Sequence, residues 1–271
     1  MRTALAAAAA AALALGIASA VLAQGTPPTI TITASDSSLA VSTAGPVPSG
    51  PTRFELVRSG GDELSISVAA LRPGVTRAQL QAALTSGDPN AALEMVYLDV
   101  SIDLAAGDDR RAVTASLRPN STYVVLNATG DRPNQWEIAE FAVTGASNGA
   151  TAPRADASVR IIDLRFRGDR TLPRNGVVRF ENGGWAPHFA VAAPLRPGAR
   201  SGAVGRALRT NNERRLGRLV DFESAISAQG LITRGAVDYT EVRFPRRGRY
   251  VMVCFFENHN TEGMYRVVRV R

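Results

Sequence analysis

Residues 250–271 read YVMVCFFENHNTEGMYRVVRVR. Two runs of β-branched and aromatic residues, 250–256 and 265–270, enclose a polar stretch holding Asn258, Asn260 and Gly263, which is the pattern of two strands joined by a loop. Upstream, similar runs at 159–166, 176–180, 188–193 and 237–244 are separated by Gly, Pro and Asn, and a series of short strands so spaced predicts an all-β sandwich. Between 203 and 228 the pattern changes. Leu208, Leu216 and Leu219 stand among Arg and Glu, and that stretch reads as a helical insertion, with residues 77–84 as its counterpart earlier in the chain.

The chain repeats itself. Leu71-Arg72-Pro73-Gly74 recurs as Leu195-Arg196-Pro197-Gly198, an offset of 195 − 71 = 124, each time after an apolar run preceded by a Gly-Gly pair. Tyr123-Val124-Val125-Leu126 recurs as Tyr250-Val251-Met252-Val253 at an offset of 250 − 123 = 127, and Phe141 and Val143 answer to Val268 and Val270 without a gap. A duplicated domain is expected. The Gly-, Ala-, Ser- and Pro-rich segment around 146–157 serves as the linker, which divides the chain into 24–145 and 158–271.

Residues 1–23 carry one charge, Arg2, ahead of an Ala- and Leu-rich apolar run ending in Val21-Leu22-Ala23. This is the pattern of a secretory signal peptide cleaved after Ala23, with an uncleaved anchor as the alternative. A secreted or cell-envelope location follows. The one cysteine, Cys254, rules out an intramolecular disulfide in a compartment that would permit one. All 31 basic residues are arginine. Residues 151–271 hold 22 Arg against 11 acids (+11), while 24–150 hold 8 against 13 (−5). Such asymmetry suits docking of the halves, an acidic partner or an anionic envelope surface. No nucleic-acid-binding motif is present.

Two histidines, His188 and His259, one cysteine and four methionines are the scarce residues of the chain. Cys254, His259 and Met264 form C-x4-H-x4-M, and His188 lies 254 − 188 = 66 residues upstream, after Asn182-Gly183-Gly184-Trp185-Ala186-Pro187. Here the chain resembles the cupredoxins, the type 1 blue copper proteins. The resemblance implies two cupredoxin-like Greek-key β-sandwiches in tandem, each with a short helical insertion. It further implies one type 1 copper held by His188, Cys254, His259 and Met264. Thiolate, two imidazoles and a long axial thioether suit electron-transfer copper. The expected role is an exported electron carrier and not an enzyme, with His259 as the exposed ligand and Arg246, Arg247 and Arg249 steering an acidic redox partner. Phe189 departs from the family, which commonly has a small polar residue directly after the upstream histidine to brace the cysteine.

The first half is an internal control. Its counterparts of Cys254, His259, Met264 and His188 are Asn127, Arg132, Glu137 and Leu64, so no copper is expected there. Two histidines cannot furnish the further copper centres of multicopper oxidases or copper nitrite reductases. A thiolate–imidazolium pair of Cys254 and His259 is the catalytic option, but residues five apart need not face one another. Glu257 and Glu262 read as solvated flanking charges. The competing classes are a copper-free envelope scaffold and a copper storage or delivery protein.

Overall fold

The computed structural model describes residues 25–43, 45–86, 89–130 and 132–271; the expected signal peptide at 1–23 lies outside them. The first half comprises β1 (Thr29–Ser35), β2 (Ser38–Val41), β3 (Val47–Arg58), β4 (Leu64–Leu71), α1 (Arg77–Thr85), α2 (Pro89–Glu94), β5 (Val96–Leu104), β6 (Arg110–Leu117), β7 (Ser121–Asn127) and β8 (Glu137–Ser147). The second comprises β9 (Ala157–Ile162), β10 (Arg165–Gly168), β11 (Thr171–Leu172), β12 (Asn175–Asn182), β13 (His188–Pro194), α3 (Ser201–Arg209), α4 (Glu213–Leu219), β14 (Ile226–Ile232), β15 (Val237–Arg243), β16 (Gly248–Val253) and β17 (Tyr265–Val270). The fold is all-β, as the spacing of apolar runs predicts. No helix among the described residues is long and apolar enough to cross a membrane.

Alternation along each strand decides which side chains reach the core. In β1, Ile30, Ile32 and Ala34 are buried between more exposed threonines; in β12, Val178 and Phe180 do the same work. Each half folds round its own apolar cluster. One is centred on Phe54, Ile66, Val100 and Tyr123, the other on Phe180, Ala192, Met252 and Val268. The pairings match between halves. Antiparallel β1–β2 and parallel β1–β3 answer to β9–β10 and β9–β12, and the β4–β7–β8 run answers to β13–β16–β17.

A tyrosine anchors the same corner of both sandwiches. The Tyr123 hydroxyl donates to Asp99 at 2.7 Å and accepts from the Arg118 backbone N–H at 3.0 Å, while the Arg118 guanidinium grips Asp99 through Nε and Nη2. In the second half Tyr250 donates to the Arg246 carbonyl at 2.7 Å, and Arg246 pairs with Asp221 at 2.7 Å. Because Tyr123 is fully buried, Tyr123→Phe leaves the Arg118 N–H and an Asp99 oxygen short of a partner. A loss of roughly 1–3 kcal/mol in unfolding free energy is expected, measured as a lower urea midpoint.

Two expectations change on contact with the structure. Residues 159–166 form a hairpin and not one strand, because Asp163 and Leu164 turn back with φ of +27° and +57°, a two-residue connection suited to strand twist. The 203–228 insertion is two short helices followed by the return strand β14. The helices lie on the outer face of the sheet, with Val204, Leu208 and Leu216 against Ala193, Val251 and Val253.

The halves join edge to edge through β6 and β15. Asp238 pairs with Ala115 and Thr240 with Val113, and since 238 − 113 equals 240 − 115, counterpart edges meet as in an isologous dimer. The pairing removes two exposed edges. Beside it β14 crosses close to β5: a Cβ on Gly230 would lie 2.4 Å from the Ser101 carbonyl oxygen, so only glycine fits. At this junction Gln229, Asp238 and Thr240 form a closed ring with almost no exposure. Gln229 Nε2 donates to Asp238 Oδ2, Thr240 Oγ1 lies 3.0 Å from Gln229 Oε1, and Thr240 Oγ1 lies 3.2 Å from Asp238 Oδ1.

Candidate metal centre

Three elements converge at one end of the second sandwich. His188 opens β13, Cys254 follows the last residue of β16, and His259 closes a short 3-10 turn at 256–258. Their donor atoms all lie within 4.8 Å of one another, and all three residues are buried. Cys254 Sγ is 3.7 Å from His259 Nδ1, and the two imidazole centroids are 4.9 Å apart. So Cys254 and His259 do face each other, which their spacing alone did not require. Among the described residues this is the one such cluster.

Met264 closes the loop. Its N–H donates to the His259 carbonyl at 2.9 Å, and its own carbonyl accepts from the Cys254 N–H at 3.2 Å. The side chain is fully buried in the same apolar cluster as Cys254. Asn260 ties the loop to the helices by donating to the Leu208 carbonyl at 3.2 Å. Glu257 and Asn258 have φ of +44° and +65°. Asparagine tolerates that region, whereas Glu257 is held there at some cost, so Glu257 is part of the loop's shape as well as a solvated charge.

The environment of the donors is dry. Neither ring nitrogen of His188 has a hydrogen-bond partner, although both are buried. Burial, and next the neighbouring His259, hold its pKa down at about 4, so it stands as a neutral imidazole with an unused lone pair. Burial pushes the Cys254 thiol up, while the backbone N–H groups of Phe189 and Phe256 act in the opposite sense. The brace expected from a polar side chain after His188 thus comes from the Phe189 backbone. A buried thiol and two buried imidazoles, one wholly unpartnered, fit a soft-to-borderline cation, because an unfilled polar atom in such a place is otherwise a loss.

Residues not singled out from sequence hold the cluster in place. Asn182 is fully buried; its Nδ2 donates to the Ala186 and Ile232 carbonyls at 2.9 Å each, and its Oδ1 accepts from Gly184 N–H at 3.0 Å. That pins 183–187 in front of His188. Gly184 packs so closely that a Cβ there would lie 2.8 Å from the Asp163 N–H nitrogen and 3.3 Å from His188 Nε2.

In the first half the counterpart of Cys254 is Asn127, also by register: Asn127 pairs with Ile66. Its Nδ2 donates to the Ser35 carbonyl at 2.8 Å and its Oδ1 accepts from Thr129, while Leu64 is core. Hydrogen bonds and a leucine fill that end.

Two expectations about the surroundings are corrected. His259 is 7% exposed, the least buried of the three donors yet hardly open. Arg246 and Arg249 do not stand beside it. Arg249 precedes Cys254 by five residues of extended strand, about 16 Å, and donates to the Ala199 carbonyl and Ser201; Arg246 is paired with Asp221.

No family model and no curated protein matches the sequence. Among solved structures the chain is similar to auracyanin A, a "blue" copper protein from Chloroflexus aurantiacus (18% identity, 42% of this chain and 96% of that one, TM-score 0.28). It is also similar to an azurin from Methylomonas sp. strain J (14%, 43% and 97%, TM-score 0.28). A third is the copper nitrite reductase from Nitrosomonas europaea (11%, 91% and 94%, TM-score 0.26). The last is by name an enzyme and matches along both halves, so the expectation that this chain is not an enzyme is withdrawn. The chain has a two-sandwich, cupredoxin-like fold whose cluster of His188, Cys254 and His259 fits a blue copper site, and to that extent the resemblance is borne out.

Proposed function

We propose that the protein is an exported mononuclear blue copper protein that carries electrons, with residues 158–271 as the copper-holding domain and 24–145 as a structural partner without copper. His188, Cys254 and His259 would hold the ion, with Met264 as the fourth ligand. The unpartnered, buried His188 imidazole within reach of the Cys254 sulfur and His259 is the observation that carries this reading. Copper bound there would supply a one-electron couple in a thiolate–imidazole environment suited to electron transfer.

The chain's own part is to hold the donors still. Cys254 is fixed by the end of β16 and by two backbone N–H groups directed at its sulfur, His188 by β13 and the Asn182 staple, and His259 by its backbone bond to Phe256 at 2.9 Å. Donors so constrained move little when charge changes. The apolar surroundings, Phe256 at 5.6 Å from His259 among them, exclude water. Titration of the purified protein with Cu(II) should give an intense visible thiolate-to-copper band that saturates at one copper per chain. A protein that stays colourless and retains no copper refutes the reading.

A further inference from the structure

The arginine excess of the second half is not spread evenly. Residues 196–219 hold seven arginines and one acid, Glu213, whereas the counterpart segment at an offset of 124, residues 72–95, holds two arginines and two acids. The helices are the same pair in the same place; only the charge differs. Arg196, Arg200, Arg206, Arg209, Arg214, Arg215 and Arg218 are all exposed. Among the described residues none of the seven forms an ion pair. Two have local hydrogen bonds, Arg196 to the Gly217 carbonyl and Arg209 to the Tyr265 hydroxyl.

Geometry turns them outward together. Val204, Ala207, Leu208 and Leu216 take the buried side of α3 and α4, so Arg206 with Arg209 and Arg214 with Arg218 project from the opposite side at helical spacing. The patch lacks what a protein interface has at its centre, since the large exposed hydrophobics among the described residues are Trp185 and Phe222, both outside it. It is not a pocket either: the cleft of about 640 Å³ at the junction of the halves takes in none of these arginines. An open, strongly cationic face, seven guanidinium groups against the single carboxylate of Glu213, matches a two-dimensional array of phosphates, each able to accept two N–H groups.

We infer that the α3–α4 hairpin is a docking face for an anionic phospholipid surface. The inference does not rest on copper. Its test is co-sedimentation of the full chain with vesicles of phosphatidylglycerol in phosphatidylcholine and with vesicles of phosphatidylcholine alone, the latter reading any attachment by the apolar 1–23 segment. The chain should sediment with the anionic vesicles, much less with the neutral ones, and be released by salt. Arg214→Gln/Arg215→Gln/Arg218→Gln should lower partitioning on the order of a hundredfold, about fivefold per arginine. Arg165→Gln/Arg167→Gln/Arg170→Gln, an equal charge loss on β10 and the turn after it, should retain it; unchanged thermal unfolding of both variants guards against misfolding. The inference is overturned if the chain ignores headgroup charge, if the two variants lose binding equally, or if it binds soluble polyphosphate but not vesicles.

Discussion

Cys254→Ser is expected to abolish the visible copper band entirely while leaving the sandwich folded. Cys254 supplies the one soft sulfur anion available to the cluster, and a serine hydroxyl at the same place is a hard, neutral oxygen that binds copper poorly. Even removal of an outer partner of a metal ligand weakens binding by roughly 10–100-fold, so loss of the thiolate should exceed about 100-fold, read by competition with a chelator. The metal-free variant loses only the modest amount expected from burying a hydroxyl without a matched partner, about 1–3 kcal/mol. Retention of the colour by this variant would place the metal elsewhere.

The second large effect belongs to the junction. Asp238 is fully buried and its pKa is raised by that burial to about 7; Arg111, in the neighbouring strand of the first half, is the charged group opposing the shift. The hydrogen bonds with Gln229 and Thr240 also oppose the shift, and burial outweighs them; the ring nevertheless has a place for the proton. Thr240 has one hydroxyl hydrogen and faces two acceptors, Gln229 Oε1 and Asp238 Oδ1. With Asp238 protonated, its own hydrogen goes to Thr240, that of Thr240 goes to Gln229, and the Gln229 amide returns one to Asp238. Ionised, the ring lacks a hydrogen.

The folded chain therefore binds this proton more tightly than the unfolded one, whose carboxyl has the model value of 3.8. Its contribution to stability is fully present below pH 4 and is lost as pH rises through 7, by at most about 4 kcal/mol at 1.36 kcal/mol per unit. Asp238→Asn, whose amide can donate to Thr240 as the acid does, should flatten that dependence in urea unfolding curves taken between pH 4 and 8. A variant with the same slope as the parent would assign the dependence to another group.

What could be read from residues alone follows from how local the information is. The 250–271 hairpin was legible because its two runs of β-branched and aromatic residues and the loop residues between them lie within one stretch. The donor set was legible because histidine and cysteine are so scarce in this chain that their placement stands out. The supports were not. The N–H groups directed at the sulfur belong to the backbone of Phe189 and Phe256, and a backbone donor leaves no mark on side-chain identity. In sequence Asn182 is only a polar residue ahead of Gly183-Gly184, yet its amide fixes the whole loop.

Long-range pairing was the other blind spot. Nothing in Val113 or Thr240 announces that β6 and β15 will meet, because edge pairing depends on tertiary docking. The strand β14 was missed because Gln229 and Gly230 interrupt its apolar run, and both are there for the junction. Arg246 and Arg249 were placed near His259 through closeness in sequence, but an extended strand carries them to the opposite end of the sandwich.

The most direct test is X-ray absorption at the copper edge of the reconstituted protein, combined with a metal count. One copper per chain, coordinated by a single sulfur at short distance and two imidazole nitrogens, with the sulfur lost in Cys254→Ser, is the expected result. Copper bound through oxygen and nitrogen alone, or no stoichiometric copper, would contradict the assignment of His188, Cys254 and His259 as its ligands.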